Sequence, residues 1–146
     1  MLKGACLCNA ISFQFDASAI VLFNRCYCKK CQKASGVGSR SQVQVDSNGF
    51  SWISRSSAIS EYESTPGNKR PFCCTCGSPL PHFTHEGAFV AIPAGLIDSP
   101  LALKPEINMH AASVASWDSV DTSITTISDQ GDQEFWANFM QKQSRS

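Results

Sequence analysis

The sequence predicts a small, mainly β domain with one short internal helix and a C-terminal helix. Several segments of strand length are rich in apolar residues or alternate apolar with polar residues, and turn-forming residues separate them. After residue 117 the composition becomes polar and then leads into an amphipathic segment. A chain of 146 residues suits one domain, and its core is modest enough for a bound metal to matter to stability.

Apolar and polar residues alternate along residues 10–15, which is typical of a strand with one buried face. The next apolar run, residues 19–24, also has strand length. Residues 42–45 and 50–53 flank residues 46–49, whose Asn-Gly pair predicts a β-hairpin between the two strands. Turn residues separate the remaining predicted strands, which are residues 58–63, 80–84, 88–93 and 106–110.

Two helices are predicted. The first lies within residues 26–35 and ends at Gly36, because glycine readily adopts the left-handed conformation that closes a helix. The second covers residues 134–140, where three aromatic residues and a methionine share one face and Asp132 is the candidate N-cap.

These elements divide the chain into a predicted domain at residues 1–117 and a C-terminal extension at residues 118–146. The helix of the extension can pack on its own domain or on a second subunit, and we expect the first. The sequence is therefore compatible with a monomer and, through the second arrangement, with a homodimer. The aromatic residues Phe83, Phe89 and Trp117 are expected to belong to the core.

The charge balance excludes some classes of partner. Twelve Lys and Arg residues balance twelve Asp and Glu residues, and only 16% of the chain is charged. We therefore expect no binding to nucleic acid or to an anionic membrane surface. No apolar run approaches the length of a membrane span, and no export signal is recognisable, so a reducing, cytoplasmic location is expected.

The eight cysteines are grouped in a way that is typical of metal ligands. In a reducing compartment, closely spaced cysteines indicate metal binding or catalysis before they indicate disulfides. The group nearest the C-terminus, which contains Cys73 and Cys76, holds a Cys-x-x-Cys-Gly turn. This turn is a common zinc knuckle in which the glycine lets backbone N–H groups point at the sulfurs. The three groups are Cys6 and Cys8; Cys26, Cys28 and Cys31; and Cys73, Cys74 and Cys76.

One partition of these cysteines gives a complete structural zinc site and an incomplete second one. The first and third groups together supply four thiolates, which is the expected structural arrangement. The middle group then holds three thiolates and leaves one coordination position open to substrate or water. Spacing alone also allows the first group to pair with the middle one.

Three segments carry a resemblance to a known family. The stretches GACLCNAISF (residues 4–13), CYCKKCQKASG (26–36) and RPFCCTCGSPL (70–80), with residues 105–110 running on to Trp117, resemble the glutathione-dependent formaldehyde-activating enzyme family, which includes the centromere protein V type of domain. The resemblance covers about residues 3–117.

The resemblance implies a β-tent-like zinc fold with two zinc ions per chain, the second being the more labile. It implies that the structural zinc has four ligands, which are Cys6, Cys8, Cys73 and Cys76. The second, catalytic zinc would be held by Cys26, Cys28 and Cys31. In the family's founding activity glutathione and formaldehyde condense to S-hydroxymethylglutathione, and members are classed as carbon–sulfur lyases. A small thiol substrate such as glutathione is therefore implied.

The chemistry of an open three-thiolate site agrees with that activity. Zinc lowers the pKa of a bound thiol, and the resulting thiolate can attack a carbonyl carbon or be expelled in the reverse reaction. Cationic side chains near the middle group in sequence could attract a carboxylated substrate, although an ordinary solvated helix face is the favoured interpretation; they are Arg25, Lys29, Lys30 and Lys33.

The sequence departs from the family pattern at two places. Tyr27 stands where the family often has a histidine, and we expect it to be a packed aromatic residue. Cys74 is an additional cysteine that could close the second site as a fourth ligand, although a small buried residue is favoured. Of the histidines, His82 is the better candidate for a general base or extra ligand near the second zinc, although a structural role is favoured, and His85 is expected to be solvated in a turn. His110 stands where the family that the chain resembles often has a basic residue near the substrate cleft.

Two alternatives to an enzyme follow from the same residues. The first is a non-catalytic zinc module that binds a protein partner. The second is a thiol redox sensor in which the middle cysteines release zinc on oxidation. An open coordination position favours the enzyme, because a binding module gains nothing from it.

Overall fold

A computed structural model describes residues 1–55 and 57–144 of the chain. It is mainly β, as predicted, with two α-helices among the described residues, α1 (Lys29–Ser35) and α2 (Gln133–Ser144). The strands are β1 (Leu2–Ala5), β2 (Ser12–Phe15), β3 (Ile20–Cys26), β4 (Arg40–Asp46), β5 (Phe50–Ser54), β6 (Ile59–Thr65), β7 (Asn68–Cys73), β8 (His82–Thr84), β9 (Phe89–Pro93), β10 (Ile107–Met109) and β11 (Thr125–Thr126).

The strands form three sheets. The largest has six strands in the order β11-β10-β3-β4-β9-β8, in which β10 pairs in parallel with both β3 and β11 and the other neighbours are antiparallel. A three-stranded antiparallel sheet has the order β1-β2-β5, and β6 and β7 form a separate hairpin. The two larger sheets pack around a core that includes Phe13, Phe15, Phe23, Val43 and Val90.

The alternation of side chains in the six-stranded sheet separates this core from an opposite face, of which the part around Arg40 is polar and is here called the polar face. Val43 and Val45 of β4 point into the core, so Arg40, Gln42 and Gln44 point to the opposite face. Registered partners in neighbouring strands share a face, which places Cys26 beside Arg40. The polar face is where one of the cysteine groups lies.

The predicted hairpin around residues 46–49 is wrong, although its two strands exist. Residues Ser47–Gly49 form a 3-10 turn, and the carboxylate of Asp46 accepts hydrogen bonds from the backbone and side chain of Asn48. The strand before the turn, β4, pairs with β3 and β9, whereas β5 pairs with β2. The turn therefore carries the chain from one sheet to the other.

The C-terminal helix packs on its own chain. Phe139 is buried against Leu22 and Ile107 of the six-stranded sheet, and the Asp132 carboxylate accepts a hydrogen bond from the backbone N–H of Phe135 at 2.8 Å, as an N-cap does. The division at residue 117 stays a prediction. Trp117 itself is 73% exposed, so its expected place in the core is wrong.

Two further expectations can be compared with the fold. Phe83 lies on the edge strand β8 with its ring against that of Phe50, and it is exposed, so its expected place in the core is wrong; Phe89 is half-buried. Among the described residues, no helix combines the length and the apolar character needed to cross a membrane.

Candidate metal centres

Four cysteine side chains from distant parts of the chain meet at one point. Sulfur–sulfur separations are 3.6 Å between Cys6 and Cys8 and 3.8 Å between Cys8 and Cys73. Four sulfurs placed about 2.3 Å from a tetrahedral zinc lie about 3.8 Å apart, so this donor set fits that ion. The sulfur atoms of the whole group lie within 4.8 Å of one another; its members are Cys6, Cys8, Cys73 and Cys76.

Two tight turns present these sulfurs. In the second turn the backbone N–H of Gly77 donates to the carbonyl oxygen of Cys73 at 2.7 Å, and Gly77 has a φ of +78°, which glycine adopts without strain. Ser78 connects the two turns, because its hydroxyl oxygen accepts a hydrogen bond from the backbone N–H of Leu7 and lies 3.2 Å from the Cys76 sulfur. The hydroxyl and backbone N–H of Ser78 lower the pKa of Cys76 to about 5, which favours a thiolate there.

The middle cysteines form a second group of three. Cys26 ends β3, Cys28 is the N-cap of α1 and Cys31 lies in the first turn of that helix, and their sulfurs lie within 4.8 Å of one another. Cys26 and Cys31 are buried, and Cys28 is half-buried. No fourth His, Cys, Asp or Glu of the described residues joins this group.

Short hydrogen bonds hold the loop that carries the second group. The Cys28 sulfur accepts the backbone N–H of Cys31 at 3.4 Å. The side chain of Gln32 donates to the carbonyl oxygens of Tyr27 at 2.6 Å and of Ser113 at 2.9 Å, which fixes α1 against the rest of the domain. Gly36 then ends the helix with a φ of +73°, as predicted.

The hydrogen bonds and charges around the second group favour the thiolate form of Cys31. Hydrogen bonds from the Cys26 and Cys28 thiols, together with the Arg70 guanidinium, lower the pKa of Cys31 to about 5. The shared hydrogen bond with Cys31 and burial raise the pKa of Cys26. One sulfur of the group is thus ready to be an anion before any metal binds, which suits a metal-ligating cluster.

The structure brings Arg40 and Arg70 to the second group and His82 close to both arginines, a combination that the sequence did not predict. Arg70 Nη2 lies 4.0 Å from the Cys31 sulfur, and Arg40 is the registered neighbour of Cys26 in the sheet. Burial, with the charges of Arg40 and Arg70, lowers the pKa of His82 from 6.5 to about 4, so this imidazole is neutral. The sequence pointed to His82 alone, because Arg40 and Arg70 come from β4 and β7 and no spacing pattern links them to the middle cysteines.

The other side chains considered in the sequence lie as follows. Tyr27 is buried, as expected for a packed aromatic residue. Cys74 is exposed, and its sulfur belongs neither to the four-cysteine candidate site nor to the three-cysteine one. The expectation that Cys74 is buried is wrong. His85 is exposed in its turn and His110 is half-buried with a φ of +56°. Lys29, Lys30 and Lys33 are exposed, as expected for a solvated helix face, whereas Arg25 is half-buried.

Two cavities are relevant to ligand binding. One of about 210 Å³ is lined by Arg40, Arg70 and Tyr62, and it therefore adjoins the second cysteine group. A larger one of about 530 Å³ lies between α2 and the six-stranded sheet, where Trp136 and Met140 line it, and it contains no cysteine. The smaller cavity is likewise lined by no cysteine, but its wall residue Arg70 reaches the Cys31 sulfur, so it is the cavity next to the second group.

Comparisons with known proteins identify the family and the fold of the chain. The sequence model of the family described as glutathione-dependent formaldehyde-activating enzyme matches residues 1–113, which include both cysteine groups. A curated protein of Halomonas elongata, described as a putative glutathione-dependent formaldehyde-activating enzyme, is 29% identical over 130 residues, which are 84% of this chain and 82% of that protein. A crystal structure of a Rhodobacter sphaeroides protein is similar in fold, with a TM-score of 0.55 at 16% identity, over 68% of this chain and 91% of that one.

Proposed function

Because the chain belongs to the glutathione-dependent formaldehyde-activating enzyme family, we propose that it is a zinc-dependent carbon–sulfur lyase acting on the adduct of a thiol and an aldehyde. Its substrates would be glutathione or a similar small thiol together with formaldehyde or a similar carbonyl compound. The observation that carries the proposal is the group of three cysteine sulfurs without a fourth protein ligand among the described residues.

The two cysteine groups would have different tasks. The complete group fits a structural zinc held by Cys6, Cys8, Cys73 and Cys76. The incomplete group, Cys26, Cys28 and Cys31, would hold the second zinc and leave one coordination position for the substrate. When bound there, zinc supplies the charge that lowers the pKa of a coordinated thiol.

The reaction is an addition without any change of oxidation state. The thiol sulfur forms a bond to the carbonyl carbon, the carbonyl π bond breaks, and the thiol proton ends on the former carbonyl oxygen. The reverse reaction breaks the carbon–sulfur bond and returns the proton to sulfur. Arg70, 4.0 Å from the Cys31 sulfur, stabilises negative charge at the sulfurs while this exchange takes place.

His82 is a neutral side chain on the same polar sheet face as Arg40. Its Nδ1 is buried and has no hydrogen-bond partner in the structure, and its lowered pKa keeps it uncharged at neutral pH. A neutral imidazole can accept a hydrogen bond from a hydroxyl group of the adduct, or donate one to it, without bringing another positive charge to the site.

The first experiment is the zinc content per chain, measured by elemental analysis before and after a wash with millimolar thiol. Two zinc ions, of which thiol removes one, would support an open second site. Two resistant zinc ions would contradict it and favour a binding module. Exchange spectroscopy by NMR with glutathione and formaldehyde would then test whether the protein accelerates adduct formation beyond the spontaneous rate.

Cys31→Ser is the test variant, and Cys74→Ser is its matched control. Cys31→Ser should lower the zinc content from two to one and abolish the acceleration, because it removes a buried member of the second group. Cys74→Ser should change neither, since Cys74 is exposed and lies outside both groups. Equal behaviour of the two variants would refute the assignment of the second site.

A further inference from the structure

Two arginine side chains meet in a cavity beside the second cysteine group. The cavity has a volume of about 210 Å³, and its walls include Arg40 from β4, Arg70 from β7 and the apolar residues Pro71, Phe72 and Pro79. Arg70 also reaches the metal-binding group, since its Nη2 lies 4.0 Å from the Cys31 sulfur. The cavity and the three cysteines are therefore neighbouring parts of one site.

Each arginine has one donor, its Nε, for which the described residues provide no acceptor. Arg40 is only 6% exposed, and its Nε is buried without a hydrogen-bond partner. The Nε of Arg70 is likewise buried and unpartnered, so its recorded interaction uses Nη2 alone. Burying a guanidinium donor without an acceptor is costly, and such a donor calls for a partner such as a water molecule, an ion or a ligand group.

In the described part of the chain, no salt bridge is recorded between a carboxylate side chain and either arginine. Within residues 1–55 and 57–144, the ion pair that the structure records joins Lys69 to Glu61, both largely exposed. The charges that act on Arg40 come from Cys31, Arg70 and Cys26, while burial lowers its pKa. Among the described residues the recorded anionic partners of the two guanidinium groups are cysteine sulfurs of the second group, so their cavity side can take a further anion.

A carboxylate is the anion that this arrangement fits. The planar fork of a guanidinium matches the two oxygens of a carboxylate, and Arg70 would continue to support the Cys31 sulfur through Nη2. The apolar walls suit a short hydrocarbon spacer between that carboxylate and a sulfur at the second cysteine group. We propose that Arg40 and Arg70 bind the carboxylate of the thiol substrate, so that the site selects thiols that carry an acid group over neutral thiols.

This inference rests on the proposed function for the position of the sulfur, and it adds the recognition of the acid. The test compares 3-mercaptopropionate with its neutral amide and with propionate, which has the acid but no sulfur. Binding would be measured with the zinc-loaded protein by calorimetry. The Nε–H signals of Arg40 and Arg70 in ¹⁵N NMR spectra report the carboxylate contact directly and do not depend on activity.

Wild-type protein should bind 3-mercaptopropionate roughly tenfold or more tightly than the amide, the usual worth of charge-assisted hydrogen bonds. Arg70→Met should reduce this ratio to about one at equal zinc content. Arg55→Met is the matched control, because Arg55 is exposed and lies over the Trp52 ring, and it should keep the ratio. Arg40→Lys retains the charge of a buried residue but loses the fork, and it should lower the ratio without unfolding the domain.

The outcomes separate this inference from the proposed function. If both thiols bind equally well and propionate leaves the two Nε–H signals unchanged, the carboxylate site is refuted while the open sulfur position stands. If propionate shifts the signals in the wild type but not in Arg70→Met, and neither thiol binds more tightly than propionate, the carboxylate site stands and the open position is refuted. If none of the three compounds binds, both proposals fail.

Discussion

Arg70 Nη2 lies 4.0 Å from the Cys31 sulfur, although 39 residues separate the two in the chain. Arg70 belongs to the β6–β7 hairpin and Cys31 to α1, so the contact joins the hairpin to the second cysteine group. A guanidinium at this distance stabilises the thiolate form of Cys31 and with it the binding of a metal cation that needs deprotonated ligands.

Replacing Arg70 by methionine should weaken the second zinc. The change keeps the apolar volume of the side chain but removes its charge, and we expect roughly tenfold weaker zinc binding at the three-cysteine group. Arg70→Lys should have an intermediate affinity, because lysine keeps the charge without the fork. Competition with a chromophoric chelator measures both values. Wild-type affinity in Arg70→Met would show that the guanidinium does not support the metal ligands.

Replacing Cys73 should unfold much of the domain, whereas replacing its neighbour Cys74 should not. Cys73 is fully buried and its sulfur lies 3.8 Å from that of Cys8, 65 residues away in the chain. A structural zinc in a small domain contributes a large part of the folding free energy, so Cys73→Ser should cost roughly 5 kcal/mol or more. Cys74 is exposed, and we expect its serine variant to change stability by less than about 0.5 kcal/mol.

Urea denaturation of the two serine variants, with zinc present and after chelation, measures this difference. Chelation should lower the stability of the Cys74→Ser protein to near that of Cys73→Ser, since both then lack the cross-link between the two turns. Equal stability of Cys73→Ser and the wild type with zinc present would contradict a structural role for the four-cysteine group.

The sequence predicted the parts of the fold that depend on local chemistry. The short helix ends at Gly36 because a glycine there takes a φ of +73°, and Asp132 caps the C-terminal helix because its carboxylate reaches the N–H of Phe135. The four-cysteine group was one of two partitions that the spacing allowed, and the family resemblance implied the one that the structure brings together.

What the sequence did not reveal depends on contacts between distant segments. The Asn-Gly pair at residues 48–49 predicts a hairpin, but β5 pairs with β2 instead, and no local pattern encodes that choice of partner. Arg40 and Arg70 sit among ordinary strand residues, and only the meeting of β4 with the β6–β7 hairpin makes them a pair. Trp117 was assigned to the core by its size, yet it is 73% exposed.

The C-terminal helix should contribute to stability through one buried side chain. Phe139 is 8% exposed and packs against Leu22 and Ile107. Phe139→Ala removes that packing and should lower the free energy of unfolding by about 3 kcal/mol. Asn138→Ala, at an exposed position in the same helix, is the control and should change it by less than about 0.5 kcal/mol. Denaturant titration measures both. A null effect of Phe139→Ala would show that α2 is not docked on the sheet in solution.

His82 should make the stability of the protein depend on pH below neutrality. Burial first, and then the charges of Arg40 on β4 and Arg70 on β7, lower the pKa of His82 from 6.5 to about 4. Between these two values the unfolded chain takes up a proton that the folded protein does not bind. Acidification from pH 7 therefore favours the unfolded state, by a total on the order of 3 kcal/mol once the pH falls below about 4.

His82→Gln removes this titration and should flatten the dependence of unfolding free energy on pH between 6.5 and 5. The exposed His85 gives the matched control, since His85→Gln should follow the wild type over the same range. Urea denaturation of the three proteins at several pH values, at equal zinc content, gives the comparison. Loss of zinc in acid affects all three alike, so the difference between His82→Gln and His85→Gln isolates the buried imidazole. Parallel curves for these two variants would mean that His82 titrates as an ordinary solvated histidine.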